Sequence, residues 1–464
     1  MKKILLLLSL FYCSSILLAA DLADHSYKYR LTLKDKGETT YSIESPEKFL
    51  SPKAIERRLQ HNIKIDSSDL PISKEYLDQI EATGSIIVAK SKWNNTVAVH
   101  CADSLMIDQL KQLPFIKDVT LVWKNRPKKK VANEESKYFN IIEPPVDSLF
   151  YGYANDNIRL LNGDSLHAKG FMGKDMTIGV IDAGFNNLPN IEYFDNINIL
   201  GFKDFVFESS SLFEQANQHG TNVLSCIATN KPYRYVGTAP HASFWILGTE
   251  DSDSEYPIEE DYWASAIEYA DSVGVDVINT SLGYTKFDAP ATSFTREMLD
   301  GESSLIARAA NNAVKKGMFL VISAGNAGNK EWGKISTPAD AKDVLTVGAI
   351  ARDSTIANFS SKGLTADLRV KPDVVALGRG SVVISEDGRA AYKNGTSFSS
   401  PIMCGIVTCL WQAFPSLTNV ELLEVIRQSA DRYEDPSIQY GYGIPDMHKA
   451  MGIAQKLVER KTKQ

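Results

Sequence analysis

Thr177-Ile-Gly-Val-Ile-Asp182-Ala-Gly184 is the stretch on which the fold turns. Apolar from Ile178 to Ile181, it reads as a strand buried on both faces, the habit of a parallel sheet. It stops on a carboxylate and a turn, at the strand end where open α/β sheets place their ligand chemistry. The plainer reading of Asp182 is an Asx turn, a common use of Asp at a bend. The same theme repeats outward from about residue 151. Ser243 to Leu247, Val275 to Ile278, Met318 to Ser323 and Asp343 to Val347 are further strands. Gly220 to Thr229, Ser303 to Lys316 and Ser397 to Ala413 carry helical patterns. So does a stretch with Trp263, Ala266, Ile267, Ala270 and Val273 on one face and Glu259, Glu260 and Glu268 elsewhere. Strands alternating with helices define an α/β fold, a mainly parallel sheet flanked by helices. Val382 to Tyr392, with Asp387-Gly388 in its middle, reads as a hairpin.

Two other segments carry chemistry. His219 opens a helix as His-Gly-Thr, and its Gly allows another chain to approach closely. A neutral imidazole there is a general base for a nearby hydroxyl. His241, in Thr238-Ala-Pro-His241, sits in a loop and reads as structural. Ser397 lies in Gly395-Thr-Ser-Phe-Ser-Ser-Pro401, at the start of a long apolar helix. Unpaired N–H groups and the positive dipole end there favour a developing oxyanion, and Pro401 is tolerable so early in a helix. Taken alone, Ser397 reads equally as a helix cap. Asn326, in Ser323-Ala-Gly-Asn326-Ala-Gly, follows a strand and by itself could be a turn residue.

An acid, a base and a hydroxyl in the order Asp182, His219, Ser397 resemble the subtilisin-like serine proteases, the subtilases. An α/β-hydrolase esterase needs Gly-x-Ser-x-Gly and the order Ser, acid, His, and neither is present. The resemblance spans roughly residues 151 to 450. It implies a secreted endopeptidase in which Ser397 is the nucleophile, His219 the base and Asp182 its orienting acid, with Asn326 in the oxyanion hole. Asn279-Thr-Ser-Leu-Gly283 is similar to the family's substrate strand, so Ser281, Leu282, Gly283, Ala324 and Gly325 are the implied substrate-binding residues. Ala183 and Phe398-Ser399 depart from the commoner family residues without removing a catalytic group. No cofactor is implied for the chemistry; structural calcium is known in the family but not readable here. The competing reading is a catalytically silent binding or scaffold protein on a subtilase fold.

The remaining segments fit a protease made with a leader and a propeptide. Lys2 and Lys3 precede the apolar Ile4 to Leu18 and a small pair, Ala19-Ala20. That is the pattern of a removable signal peptide over residues 1–20, directing the protein outside the cell or into a periplasm and leaving no membrane span. Residues 21–125 alternate strand and helix patterns in a small α+β unit, similar in layout to a subtilase propeptide that occupies the cleft as intramolecular inhibitor. A Lys- and Glu-rich linker follows at 126–150, the expected processing site, before the catalytic domain at 151–464. A net charge of -7, from 50 basic and 57 acidic residues, excludes a nucleic-acid surface and leaves protein or peptide substrates as partners. Outside the leader, Cys101, Cys226, Cys404 and Cys409 read as buried thiols; a Cys226–Cys404 bridge is the alternative, each lying seven positions after a catalytic candidate.

Overall fold

The computed structural model describes residues 26–125, 150–207, 212–215 and 217–463. The expected signal peptide and nearly all of the expected linker lie outside these residues. The N-terminal unit is an antiparallel sheet of β1 (Tyr27–Leu33), β2 (Ile86–Ser91), β3 (Thr96–Cys101) and β4 (Ile116–Lys124) in the order β2-β3-β1-β4. Its helices are α1 (Pro52–Gln60), α2 (Lys74–Glu81) and α3 (Ser104–Gln112). Leu31, Val97 and Val99 alternate onto one face, where Ile80 and Leu110 from α2 and α3 cover them. The α+β expectation holds, with α1 as an added element.

The larger unit adds β5 (Thr177–Asp182), β6 (Asn198–Asp204), a two-residue ladder of β7 (Asn230–Lys231) with β8 (Tyr235–Val236), β9 (Ser243–Gly248), β10 (Val277–Thr280), β11 (Phe319–Ser323), β12 (Leu345–Ile350) and β13 (Val374–Leu377). The central sheet runs β13-β12-β11-β10-β5-β9-β6 with every pairing parallel. Each of β5, β10, β11 and β12 is buried at every position, as strands between two helix layers must be. One layer holds α4 (His219–Ala228), and the other holds α5 (Ile258–Val273) and α6 (Leu305–Lys315). The hairpin is β14 (Arg379–Ile384) with β15 (Ala390–Asn394). It feeds α7 (Thr396–Ala413), which lies in the α4 layer, followed by α8 (Asn419–Ser429) and α9 (Met447–Thr462). All four cysteines among the described residues are buried free thiols, so the bridge is not formed.

The outer face of α5 is covered. Ala89, Ala98 and Val122 of the N-terminal sheet pack on Tyr256, Ile258 and Tyr262. Glu260 and Glu268 are accordingly 4% and 7% exposed, while Glu259, 1% exposed, accepts from Asp251 N at 2.8 Å within its own unit. Glu268 accepts hydrogen bonds from Ser91 Oγ at 2.5 Å, Lys92 N at 2.8 Å and Trp93 N at 3.0 Å. Arg30 forks onto Asp261 at 2.6 and 2.8 Å. Such charge-assisted, nearly dry contacts are costly to leave half-made, so the helix face that reads as polar is an interface.

Candidate active site

The C-terminal ends of four neighbouring strands converge on one edge of the sheet. Asp182 closes β5, Thr249-Glu250 follows β9, Ser281 follows β10, and Ala324 to Asn326 follow β11. The sharp exit from β5 is brought against the start of α4 by two glycines. A Cβ on Gly184 would lie 2.4 Å from Asn217 O, and one on Gly220 would lie 2.7 Å from the Phe185 ring. Gly220 N–H donates to Gly184 O at 3.1 Å and locks that approach. His219 Nδ1 and Asp182 Oδ1 are consequently 2.6 Å apart. Asp182 is 1% exposed; its Oδ1 also accepts from Ala183 N at 2.8 Å, while Oδ2 is buried without a hydrogen-bond partner. Burial opposes charging of His219, but the charge and hydrogen bond of Asp182 outweigh it and raise the imidazole above its ordinary value. The proton on Nδ1 is thereby held toward the acid, which leaves Nε2 free to accept one.

Ser397 is the second residue of α7 and is 8% exposed. Its hydroxyl donates to Ser281 O at 3.3 Å, and Ser281 Oγ returns a bond to Ser397 O at 2.9 Å. Pro401 is the sixth residue of α7, deeper than a first-turn position. Its missing N–H is the one that would have bonded Ser397 O, and Ser281 Oγ takes that place. Asn279 Nδ2 in turn donates to Ser281 Oγ at 3.0 Å, and Ser400 Oγ donates to Asn279 Oδ1 at 2.9 Å. This chain of polar groups ties the end of β10 to α7. The Ser397 hydroxyl turns to Ser281 O and not to His219; a nucleophile–base hydrogen bond of this kind tightens in the Michaelis complex.

Asn326 is oriented by a strict donor, the Thr396 N–H. Thr396 N donates to its Oδ1 at 2.9 Å and Thr396 Oγ1 approaches at 3.1 Å, so the amide oxygen is fixed there. Its NH₂ is left facing Gly395 and the start of α7. Leu282 and Gly283 make no backbone hydrogen bond among the described residues, an open edge suited to an added strand. Ala324 is fully buried, and Gly325 N donates to Thr396 Oγ1 at 3.1 Å. All nine residues singled out from the sequence thus meet along one strip.

Sequence patterning missed Glu250, Tyr284 and Ser400, and placed Asn279 in the substrate strand without giving its side chain a role. A Glu two residues past an apolar strand carries no local signal. Tyr284 Oη donates to Glu250, and Tyr284 is 1% exposed. Burial, and then the charges of Glu255 and Asp182, raise the Glu250 carboxyl to about 8. Its unfolded counterpart titrates near 4.5. The folded protein therefore binds this proton more tightly, and stability declines as pH rises from 4.5 toward 8. Glu250→Gln is expected to flatten that decline, which on its own amounts to ~5 kcal/mol at the limit. Glu255, raised to about 7 by burial and by Asp288, keeps a smaller slope of the same sign. Thermal melts of both proteins at pH 5.5 and 8.5 check this; equal losses on raising the pH would contradict it.

Comparison with known proteins covers both units of the chain. A model of the Subtilase family matches residues 173–444, and one of the Peptidase S8 propeptide domain, Bacteroidota, matches residues 28–137. The chain belongs to the subtilase family. This subtilase is 26% identical over 328 residues to Subtilisin E of Bacillus subtilis, covering 69% of this chain and 78% of the relative. It is 29% identical over 297 residues to M-protease of Shouchella clausii, covering 63% of this chain and 68% of the relative. The same identity and length relate it to Subtilisin Savinase of Lederbergia lenta, over 97% of that protein. The subtilase is a serine-type endopeptidase whose N-terminal unit is a propeptide, and proteins are its substrates. Among the described residues no helix is long and apolar enough to cross a membrane.

Proposed function

We propose that this subtilase is exported by a signal peptide at residues 1–20 and made as a zymogen that cuts its own linker between 126 and 150. Its catalytic domain then hydrolyses peptide bonds through an acyl-enzyme on Ser397. The observation that carries the reading is the 2.6 Å Asp182–His219 pair, buried on its acid side, at the strand edge where α7 presents Ser397. Substrate pairs with Ser281 to Gly283 on one side and Ala324 to Gly325 on the other. Its carbonyl then lies between the α7 N-terminus and the Asn326 amide. Ser397 Oγ attacks that carbon while its proton passes to His219 Nε2. The resulting oxyanion is held by the Ser397 N–H and Asn326 Nδ2; one such side-chain donor stabilises the transition state by about 2.7–4 kcal/mol. As the C–N bond breaks, the imidazolium returns the proton to the leaving amine. Water then repeats the sequence on the ester, again through His219. Side chains and water handle every proton and bond, so the chemistry requires no cofactor.

A fluorophosphonate probe tests the reading against that of a silent scaffold. It is expected to modify Ser397, located by peptide mapping, in protein recovered outside the cytoplasm with a new N-terminus between 126 and 150. A processed protein that has been freed of its propeptide and still leaves Ser397 unmodified would favour the scaffold.

A further inference from the structure

Residues 34–73 leave the propeptide sheet and carry α1 to the edge of the central sheet opposite the catalytic groups. Lys53 Nζ reaches Thr177 Oγ1, at the start of β5, and Asp276, just before β10, both at 2.6 Å. Asp182 closes the same strand β5, so the two ends lie ~17 Å apart at about 3.3 Å per residue. The C-termini of α5 and α6 converge here, each bringing the negative end of its dipole, and beyond them lie the carbonyls of Val275 and Lys316. Arg57 spans both. Its Nε donates to Lys316 O at 3.2 Å, Nη1 donates to Val275 O, and Nη2 donates to Asp271 O at 3.3 Å and Asp271 Oδ1 at 2.5 Å. Arg58 Nη2 takes Asp271 Oδ2 at 2.7 Å and Asp69 Oδ1 at 2.8 Å. Asp271 is 0% exposed, Arg57 4% and Arg58 1%. Every hydrogen bond that the Arg57 side chain makes goes to the catalytic unit.

The catalytic unit is shaped for this visitor. Gly274 closes α5 with φ +87°, and a Cβ there would come 2.7 Å from Lys53 Cβ. Gly317, just past α6, has φ +88°, and its Cβ would come 2.7 Å from Ile63 Cδ1. Two acids, Asp271 and Asp276, and three convergent carbonyls call for a fork of N–H donors beside an ammonium. Lys53 and Arg57, four apart on α1, supply them on one helix face.

We infer that this pocket is a second propeptide-binding site, selective for an arginine-bearing helix, which holds the cut propeptide on the catalytic unit independently of the cleft. It rests on the zymogen reading above. Cleavage of the linker alone then leaves the enzyme covered.

The test uses the full chain carrying Ser397→Ala, with a site-specific protease sequence placed within 126–149 and cut from outside. Attachment is thereby read whether or not the chain processes itself, and Ser397 labelling judges that separately. After cutting, the two fragments are expected to co-elute in size exclusion. Arg57→Ala is expected to speed their separation roughly a hundredfold or more, because it leaves Asp271 half-paired and takes the Arg57 donors from the Val275 and Lys316 carbonyls. Arg57→Lys should restore little of this, since one ammonium cannot span the carbonyls. A second measurement needs no variant to fold. An acetylated, amidated peptide of residues 48–64 should block rebinding of the released propeptide to the unsubstituted catalytic unit, and the same peptide with Arg57→Ala should not. Immediate separation of the unsubstituted fragments, wild-type separation in Arg57→Ala, or equal action of the two peptides would each overturn the proposal.

Discussion

Replacing Ser397 by Ala is expected to lower kcat for peptide hydrolysis about 10⁶-fold and to leave the linker uncut. The whole covalent route runs through one oxygen. Without it, His219 and the oxyanion groups still bind and polarise the substrate, and water attack retains a residual ~10³–10⁴-fold acceleration over the uncatalysed reaction. The substitution also tests chemistry with little cost in folding. Ser397 Oγ makes a single, long hydrogen bond, 3.3 Å to Ser281 O, and the backbone bond from Ser281 Oγ to Ser397 O survives the change. The melting temperature should therefore move by no more than a few degrees, the equivalent of about 1 kcal/mol. Assays with a chromogenic peptide measure the first effect, and fragment sizes from parallel expressions measure the second. Identical fragments from wild type and variant would assign the cut to another protease. Retained peptide hydrolysis would remove Ser397 from its role.

The same comparison shows which parts of the molecule local sequence can express. β5, β10 and β11 were legible because a strand buried on both faces must be apolar throughout, whatever its neighbours. Asp182, His219 and Asn326 were legible because each sits beside a glycine or small residue that the tight approach of two chains demands. β13 was not. Asp373 precedes it and reads as a turn, yet Asp373 is 0% exposed and bonded to Lys371 at 2.7 Å and to Arg427 at 3.0 Å. A charged residue inside a fold looks polar until its partners are known. Arg57, Arg58, Glu260 and Glu268 pose the same problem on a larger scale. Each has a charged or hydrogen-bonding partner more than a hundred positions away along the chain, across a domain boundary, so residues that pattern as surface are interface. Glu250 was hidden for a related reason: its environment is made by Tyr284 and by the triad itself.

Asp182→Asn is expected to lower kcat about 10⁴-fold with KM little changed, and to move the acidic limb of kcat/KM to lower pH. Asp182 Oδ1 receives two N–H groups, those of His219 Nδ1 and Ala183, whereas Oδ2 is buried with no partner. An Asn amide has no good way to fill both places. With its oxygen toward His219, the NH₂ occupies the Oδ2 position as a buried donor without an acceptor, which costs ~1–3 kcal/mol, and the imidazolium loses its counter-charge. Turned over, the NH₂ faces the Ala183 N–H and forces Nδ1 to accept. The ring proton then sits on Nε2, which can no longer take the proton of Ser397. The pH effect has a definite sign. In the wild type, burial lowers the His219 pKa and Asp182 more than restores it, for a net rise. Removing the carboxylate leaves burial in command, so the imidazole stays neutral to lower pH and what activity remains persists there. A pH profile of kcat/KM separates this account from simple damage. A misfolded site would lose activity with the acidic limb unmoved, while a shift of that limb to higher pH would mean that Asp182 does not hold His219 in its charged form.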